Sequence, residues 1–327
     1  MKPDWDALAN FIKGKKRLLI TTHVHPDGDA IGSQVAMIHY LEGMGAETVA
    51  LNMDPTPKFF KFLDPEDRIA VFDAKQHHDL FQSLEGAIVL DISDWGRLRE
   101  IGKRLRSANC PVACIDHHIV TDVLGEVQIA IESACSTGEL LYDFFIHQGI
   151  RLNSNIVNAL YTCILTDTGS FRFSNTNART HRIAADLLER GADFRKIYQQ
   201  VYENYSKNRS LLKGHLLADM HFECGNRLAW FALTRELLAR TGAELWEAEG
   251  LSELPRSIDE VEVSLLFTET DDSTTKVSLR SKGRVPVNDL AVRFGGGGHK
   301  YASGITLSMP LGEAIERIIP EVKQLLS

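Results

Sequence analysis

The sequence has no run of about 18 apolar residues, the length that a membrane-spanning helix needs. Its start, MKPDWDALANFIKGKKRLLI, also lacks an apolar stretch followed by a small-residue cleavage site, which a secretory signal would require. We therefore expect a cytoplasmic protein that has no contact with a membrane.

Cysteine is scarce and unpatterned. The five cysteines are odd in number and contain no CxxC pair, which argues against a disulfide framework and against a zinc ribbon. We expect reduced and mostly buried thiols at all five positions, which are Cys110, Cys114, Cys135, Cys163 and Cys224.

Two common phosphate-binding motifs are missing, because neither GxxxxGK[ST] nor GxGxxG after an early strand is present. A P-loop NTPase and a dinucleotide dehydrogenase are thereby disfavoured.

The chain also lacks an excess of positive charge, because its formal net charge is -8. Binding of long duplex nucleic acid depends on neutralising many phosphates, so such a partner is disfavoured, whereas short substrates in a local groove are not.

With 44% hydrophobic residues, the chain of 327 residues can bury a core large enough for two domains. Up to about residue 190, strand-like apolar runs alternate with amphipathic helical stretches that stop at glycine. This alternation predicts an open, mostly parallel α/β sheet with flanking helices. The predicted strands are RLLITTH, TVALNM, AIVLDIS and VACIDHH.

The second half of the chain has a different pattern. Residues 191–225 look helical and polar, and we interpret them as a linker between residues 1–190 and a smaller α/β domain at residues 226–327. The strands predicted in that smaller domain are RLAWFALT, VEVSLLFTET and TTKVSLRSKG, followed by the turn-rich FGGGGHKYASG.

Carboxylates and imidazoles crowd the end of the first predicted strand. His23, Asp27 and Asp29 lie in THVHPDGDA, directly before a predicted helix. Divalent cations would relieve the repulsion between the carboxylates, and oxygen ligands mixed with imidazole suit manganese, iron or zinc. The structural alternative is a polar turn in which Asp27 or Asp29 only caps the helix.

Further polar residues follow three more apolar runs that we interpret as strands: Asp91 after AIVL, Asp116, His117 and His118 after VACI, and Asp167 after ALYTCIL. A single aspartate after a strand is usually a cap or turn residue. Four such strand ends together favour a two-metal site for displacement at phosphorus. The ligand set would be His23, Asp27, Asp29, Asp91, His117 and Asp167.

Basic residues surround the glycine run near the C-terminus, and Asp289 is the only acid from 276 to 300. Guanidinium groups and exposed backbone amides there could hold substrate phosphates. The alternatives are a solvated basic face and a flexible glycine turn. The basic residues are Lys276, Arg280, Lys282, Arg284, Arg293, His299 and Lys300.

Taken in order, these motifs resemble the DHH phosphoesterase family, which is named for the triplet present here at Asp116–His118. The resemblance extends from His23–Ser33 (HxxPDGDAxGS), through Asp91, the triplet and TDTGSF, to GGGHxxASG at Gly296–Gly304. It therefore covers nearly the whole chain, and its last motif is similar to the DHH-associated substrate domain.

The resemblance implies two divalent metal ions, most often manganese. His23, Asp27 and Asp91 would hold one ion, while Asp29, Asp91, His117 and Asp167 would hold the other. A water or hydroxide between the ions would be the nucleophile. His118 would contact the scissile phosphate or assist the leaving oxygen, and Asp116 would orient an imidazole.

The resemblance also implies substrates and partners. The substrate-binding residues would be Arg280, Ser281, Gly296, Gly297, Gly298, His299 and Ser303. Within the family, the chain is similar to stand-alone nanoRNases, which act on oligoribonucleotides of a few residues and on 3'-phosphoadenosine 5'-phosphate. Linear dinucleotides derived from cyclic diadenylate are an alternative substrate, and a metal-loaded nucleotide sensor is the alternative without catalysis. Members of the family often form dimers, so a homodimer is possible.

Overall fold

A computed structural model describes residues 3–327 and divides the chain between Asn204 and Tyr205 into two compact units. Within residues 3–327, no helix has both the length and the apolar character needed to cross a membrane.

The first unit contains a parallel sheet of six strands in the order β3-β2-β1-β4-β5-β6. Leu19 of β1 pairs with Val49 of β2 on one side and with Ala87 of β4 on the other. Because the strand order reverses direction at β1, a crevice is expected beyond the carboxyl ends of β1 and β4. The strands are β1 (Arg17–Thr21), β2 (Glu47–Asn52), β3 (Ile69–Val71), β4 (Gly86–Leu90), β5 (Val112–Asp116) and β6 (Val127–Ala130).

Helices cover both faces of this sheet, and separate apolar cores lie on the two sides. All six strands are parallel, so the central ones are continuous buried runs. The helices are α1 (Trp5–Ile12), α2 (Gly28–Gly43), α3 (Arg99–Ser107), α4 (Thr137–His147), α5 (Ser154–Asp167), α6 (Ala178–Glu189) and α7 (Phe194–Tyr202). Short 3-10 helices lie at Lys58–Leu63, Leu80–Gln82 and Trp95–Leu98.

Helix α2 is the buried centre of this unit, since nearly all of its residues are inaccessible to solvent. It packs closely on α5, because Gly32 has no side chain: a Cβ atom there would lie 2.5 Å from Cys163 Sγ and 2.8 Å from the Ala159 carbonyl oxygen. This close approach brings the first turn of α2 and the last turn of α5 to the same place.

The second unit contains a mixed sheet of six strands in the order β11-β12-β10-β9-β8-β7, in which β8 and β9 are parallel and the other pairs antiparallel. Its elements are α8 (Lys207–Ala218), β7 (His221–Glu223), β8 (Leu228–Leu233), α9 (Arg235–Thr241), β9 (Val263–Asp271), β10 (Thr274–Ser281), α10 (Asn288–Arg293), β11 (Gly297–His299), β12 (Ala302–Leu307) and α11 (Leu311–Leu325), with 3-10 helices at Leu245–Ala248 and Leu251–Ser257.

These two sheets confirm the predicted fold class. The segment predicted to be a helical linker, 191–225, contains α7, α8 and the strand β7, and its residues are divided between the two units. The turn-rich FGGGGHKYASG contains β11 and the start of β12, which pair as a hairpin.

The prediction that Asp167 follows a strand is wrong. The run ALYTCIL lies inside α5, a helix of 14 residues that begins after Asn153, whose side chain accepts a hydrogen bond from the Ile156 amide. A continuous apolar run looks the same in a buried strand and in a helix packed on all sides, so periodicity alone does not separate them.

Candidate metal centre

Three neighbouring strands place polar residues at one edge of the parallel sheet. His23 follows β1, Asp91 follows β4, and His117 and His118 follow β5. Since β1 pairs with β4 and β4 with β5, their carboxyl ends lie side by side. The side chains of His23, Asp91 and His117 are nearly inaccessible to solvent.

The first turn of α2 adds two carboxylates. Asp27 is the N-cap residue, and its Oδ1 accepts hydrogen bonds from the amides of Asp29, at 3.0 Å, and Ala30, at 3.1 Å. The structural alternative for Asp27, a helix cap, is therefore correct, but its carboxylate also lies in a cluster with His23 and Asp91. Asp29 is buried.

Asp167 ends α5 and completes the group. Its Oδ2 lies 3.6 Å from His117 Nε2, and it accepts a hydrogen bond of 3.2 Å from Asn175 Nδ2. The predicted ligand therefore reaches this place from a helix rather than from a strand.

The six predicted metal ligands form two clusters of three residues, and the potential ligand atoms of each cluster lie within 4.8 Å of one another. One cluster is His23, Asp27 and Asp91, and the other is Asp29, His117 and Asp167. Asp91 extends towards both: its Oδ2 lies 3.3 Å from His23 Nε2, while its Oδ1 lies 3.6 Å from His117 Nε2. This is the arrangement that a shared carboxylate needs.

In both histidines of these clusters, one ring nitrogen lies close to a backbone carbonyl oxygen. Nδ1 of His23 lies 2.8 Å from the Val24 carbonyl oxygen, and Nδ1 of His117 lies 3.4 Å from the Ala134 carbonyl oxygen. Nε2 of His117 is buried, and within residues 3–327 it has no hydrogen-bond partner. Histidines that bind metals commonly donate their other N–H to a carbonyl or carboxylate, so both rings fit a metal on Nε2.

The carboxylates are crowded enough to alter their own protonation. Burial and the negative charges of Asp29 and Asp27 raise the pKa of Asp91 well above its ordinary value. Burial, opposed by the His117 charge and reinforced by Asp29 and Asp27, raises the pKa of Asp167 to about 8. Grouped buried carboxylates with imidazoles are a donor set for divalent cations, whose charge would offset this repulsion.

His118 is held by Asp116, the first residue of the triplet. Nδ1 of His118 lies 2.7 Å from Asp116 Oδ1, and Asp116 Oδ2 accepts a hydrogen bond of 2.6 Å from Ser93 Oγ. Burial would raise the pKa of Asp116, but the hydrogen bonds from His118 and Ser93 and the His118 charge lower it to about 2. His118 is partly exposed, and its Nδ1 lies 3.7 Å from Asp91 Oδ1.

Two residues near the clusters, His25 and Arg97, differ in their burial and in their contacts. His25, for which the sequence suggested no role, is exposed, and its ring lies 3.5 Å from Asp54. Arg97 is half-buried, and its carbonyl oxygen accepts a hydrogen bond from the amide of Val24, the residue after His23. The pKa of His23 is lowered mainly by burial and also by the Arg97 charge, while Asp27 raises it. Within residues 3–327, Arg97 forms no ion pair.

Sequence reasoning did not identify Arg97, Asn175 or Thr137 as part of this region. The Thr137 hydroxyl donates a hydrogen bond of 3.0 Å to Asp91 Oδ1. None of the three carried a sequence pattern that pointed to this region.

In the second unit, the β10–β12–β11 edge brings most of the predicted substrate-binding residues together. Arg280 pairs in register with Ala302, and Gly298 pairs with Ser303. Ser303 Oγ donates to the His299 carbonyl oxygen at 2.8 Å. Ser281 and Ser303 are both almost completely buried. The remaining predicted residues of this edge are Gly296, Gly297 and His299.

Several cations of this basic segment are neutralised within the second unit. Arg280 forms an ion pair with Glu253, Arg284 with Glu262 and Arg293 with Glu321. The exposed positive charge is therefore smaller than the sequence count suggested.

Comparison with known proteins supports the same division of the chain. Residues 17–166 match the DHH family, N-terminal domain, and residues 237–327 match the DHHA1 domain. The bifunctional oligoribonuclease and PAP phosphatase NrnA of Thermus thermophilus is 30% identical over 312 residues, which are 95% of this chain and 90% of that protein. The probable bifunctional oligoribonuclease and PAP phosphatase NrnA of Streptococcus mutans is 30% identical over 317 residues, 96% of each chain.

A solved structure extends this likeness to three dimensions. The crystal structure of an exopolyphosphatase-related protein from Bacteroides fragilis matches with a TM-score of 0.92 at 28% identity, covering 98% of this chain and 95% of that one. The chain belongs to the DHH family, with an N-terminal DHH domain followed by a DHHA1 domain.

Proposed function

We propose that this chain is a two-metal phosphoesterase that hydrolyses short oligoribonucleotides and removes the 3'-phosphate of 3'-phosphoadenosine 5'-phosphate. The observation that carries the proposal is the pair of three-residue clusters joined by Asp91. The substrates follow from the relatives named as oligoribonuclease and PAP phosphatase, which this chain matches over nearly its whole length.

His23, Asp27 and Asp91 would hold one ion, and Asp29, Asp91, His117 and Asp167 would hold the other. The mixture of carboxylate oxygens with imidazole nitrogen favours manganese over magnesium, because magnesium prefers oxygen ligands and waters. When bound, the two ions supply positive charge that polarises the phosphoryl group and makes water nucleophilic.

His118 acts on the substrate. Asp116 fixes its ring through Nδ1, at 2.7 Å, and the ring so oriented would hold a proton near the oxygen that leaves from phosphorus. Asp116 is a positioning residue, since it acts through His118, and Ser93 keeps the Asp116 carboxylate in place.

Arg97 binds a phosphate of the substrate. Arg97 is half-buried, its charge contributes to the lowered pKa of His23, and it forms no ion pair with a carboxylate within residues 3–327. Planar guanidinium groups bind phosphate through paired hydrogen bonds, which are stronger than those between neutral groups.

In the second unit, the β11–β12 hairpin binds the nucleotide through its backbone and side chains. The residues we assign are Gly296, Gly297, Gly298, His299, Ser303 and Arg280. Ser281 contributes from inside the unit, where its Oγ accepts a hydrogen bond from the Gly283 amide and shapes the turn after β10.

The test is release of mononucleotide from RNA of two to five residues, and of phosphate from 3'-phosphoadenosine 5'-phosphate, in manganese, in magnesium and with chelator. We expect manganese-dependent turnover of both substrates. Turnover that persists after chelation would contradict the metal assignment.

Linear dinucleotides belong in the same assay. Turnover of a linear diadenylate far above that of four-residue RNA and of the bisphosphate would replace the proposed substrates with linear dinucleotides. Tight nucleotide binding in manganese without any turnover would instead identify a sensor. The family resemblance leaves the oligomeric state open between monomer and homodimer, and sedimentation velocity distinguishes the two.

A further inference from the structure

The first turn of α4 contacts two of the proposed metal ligands directly. The Thr137 amide donates to Asp29 Oδ2 at 2.7 Å, and the Gly138 amide donates to Asp29 Oδ1 at 2.9 Å. The Thr137 hydroxyl donates to Asp91 Oδ1 at 3.0 Å. Thr137, Asp29 and Asp91 are all buried, so water does not compete for these hydrogen bonds.

The local sequence explains why α4 can do this. Ser136 is the N-cap, and its hydroxyl accepts from the Glu139 amide, which leaves the amides of Thr137 and Gly138 without intrahelical partners. The Asp29 carboxylate accepts both. Gly138 permits the contact, because a Cβ atom there would lie 2.3 Å from Cys163 Cβ.

These contacts fix the direction of the lone pairs that remain on the two carboxylates. A carboxylate has about four acceptor sites. Asp29 uses one acceptor site on each of its oxygens for the amides of α4. Asp91 uses one acceptor site of Oδ1 for the Thr137 hydroxyl. The oxygens still face Nε2 of His117, at 3.7 Å from Asp29 Oδ2 and 3.6 Å from Asp91 Oδ1.

We propose that Thr137 is a positioning residue of the metal centre, which sets the rotation of Asp91 through its hydroxyl and of Asp29 through its amide. The inference rests on the metal ligands assigned under the proposed function. Thr137 touches neither the substrate nor the proposed ions, and it acts only through Asp29 and Asp91. Side chains that orient ligands in this way typically change metal affinity by about 10-fold to 100-fold when they are removed.

Substitution of the hydroxyl separates this role from simple packing. Thr137→Val keeps the shape of the side chain and removes the donor to Asp91, while Thr137→Ser keeps the donor and removes a methyl group. Thr162→Val is the matched control, because Thr162 is also buried and helical but donates to the Asn158 carbonyl oxygen.

The measurement is manganese binding to the full chain without substrate, by titration calorimetry and by the paramagnetic resonance spectrum of the paired ions. We expect about 10-fold or greater weakening of the affinity in Thr137→Val. Thr137→Ser and Thr162→Val should remain within about threefold of the wild type, which is below the 10-fold lower limit of that range. Circular dichroism of the metal-free proteins controls for folding, and Thr137→Ala replaces Thr137→Val if the latter does not fold.

Wild-type affinity and spectrum in both Thr137→Val and Thr137→Ala would overturn the inference while leaving the proposed function intact. Equal weakening in Thr137→Ser and Thr137→Val would assign the effect to packing and would also overturn it. A wild-type chain that binds no manganese would contradict the metal assignment itself, and the inference with it.

Discussion

Asp91 has an unusual backbone. Its φ of 63° lies in the left-handed region, which residues other than glycine adopt rarely and aspartate and asparagine tolerate better than most. The Asp91 amide still donates to the Ile115 carbonyl oxygen at 2.9 Å. The chain therefore turns sharply after β4 at the residue whose two oxygens extend towards both clusters.

Asp91→Asn is the sharpest single test of that position, because asparagine tolerates the same backbone conformation. We expect turnover to fall by more than about 100-fold, beyond the range seen for residues that only orient ligands. The metal-free protein should be at least as stable as the wild type, since a buried carboxylate among others is removed. Turnover in manganese and thermal unfolding in chelator are the measurements.

Asp79→Asn provides the control for Asp91→Asn, because Asp79 is an exposed aspartate of the same unit. Asp79→Asn should leave both the turnover in manganese and the thermal stability in chelator unchanged. Substantial turnover in Asp91→Asn would rule out a shared carboxylate at this position.

Arg97→Ala should raise KM for both proposed substrates by about 10-fold to 100-fold, the equivalent of one charged hydrogen bond of about 1.5 to 3 kcal/mol. Manganese affinity should not weaken, because the substitution removes a positive charge near His23. Steady-state kinetics and metal titration measure the two effects separately.

Arg99→Ala is the matched control for Arg97, since Arg99 is an exposed arginine two residues further along. An unchanged KM in Arg97→Ala, or an equal rise in Arg99→Ala, would contradict a specific phosphate contact.

Sequence reasoning located the six proposed ligands because each is a polar residue next to an apolar run, and such residues gather at the edge of a parallel sheet. It did not locate Thr137 or Asn175. Both are ordinary polar residues in segments that look like a helix cap and a loop, and their importance comes only from contacts with Asp91 and Asp167 in three dimensions. Arg97 was overlooked because a single arginine carries no pattern.

At the level of elements, helix α5 shows where periodicity fails. It packs against α2, α4 and α6, so nearly every residue from Ile156 to Leu165 is apolar and buried. The sequence therefore predicted the wrong kind of element for Asp167, although the structure does bring Asp167 together with Asp29 and His117. The strands β1, β4 and β5 were predicted correctly, because they are short apolar runs bounded by polar residues.

The β11–β12 hairpin depends on its glycines to different degrees. A Cβ atom on Gly296 would lie 2.1 Å from the Gly304 carbonyl oxygen, whereas one on Gly297 would have no atom within 4 Å. Gly298 has a φ of 135°, in the region that favours glycine. The glycine run is thus required by the hairpin itself at Gly296 and Gly298.

Gly296→Ala should destabilise the second unit by about 1 to 3 kcal/mol, the usual cost of overpacking, while Gly297→Ala should leave the free energy of unfolding nearly unchanged. If the hairpin amides bind the nucleotide, Gly297→Ala should also raise KM, because the added methyl group would cover backbone amides that are exposed in the wild type. Urea unfolding followed by circular dichroism, with kinetics at low substrate, distinguishes these effects. An unchanged KM in Gly297→Ala would remove Gly297 from the binding surface.

At the scale of the whole molecule, all the proposed metal ligands lie in the first unit. Manganese at 100 times its dissociation constant should stabilise that unit by about 2.7 kcal/mol. Hydrogen exchange of the full chain should therefore slow on adding manganese within residues 3–204, including the amides of Thr137 and Gly138. It should stay unchanged in residues 205–327, and chelator should reverse the effect. Slower exchange confined to residues 205–327 would place the metal elsewhere.

The division of the chain into two folded parts was visible in the sequence, because the alternation of strands and helices stops near residue 190. The boundary was harder to place, since α7 and α8 both look like polar helices and only their packing assigns them to different units. The ion pairs of Arg280, Arg284 and Arg293 with glutamates could not be predicted either, because their partners are distant in sequence.

The proposed metal ligands are spread along the sequence from His23 to Asp167, and this spacing affects when the site can form during synthesis of the protein. A nascent chain that has emerged only as far as the turn after β4 carries His23, Asp27, Asp29 and Asp91, but neither His117 nor Asp167. The complete two-ion site can form only when the last turn of α5 has left the ribosome and packed on α2. With the proposed ligands, loading with both ions would follow folding of the DHH domain, and an incomplete chain would be inactive as a phosphoesterase while it is still being made.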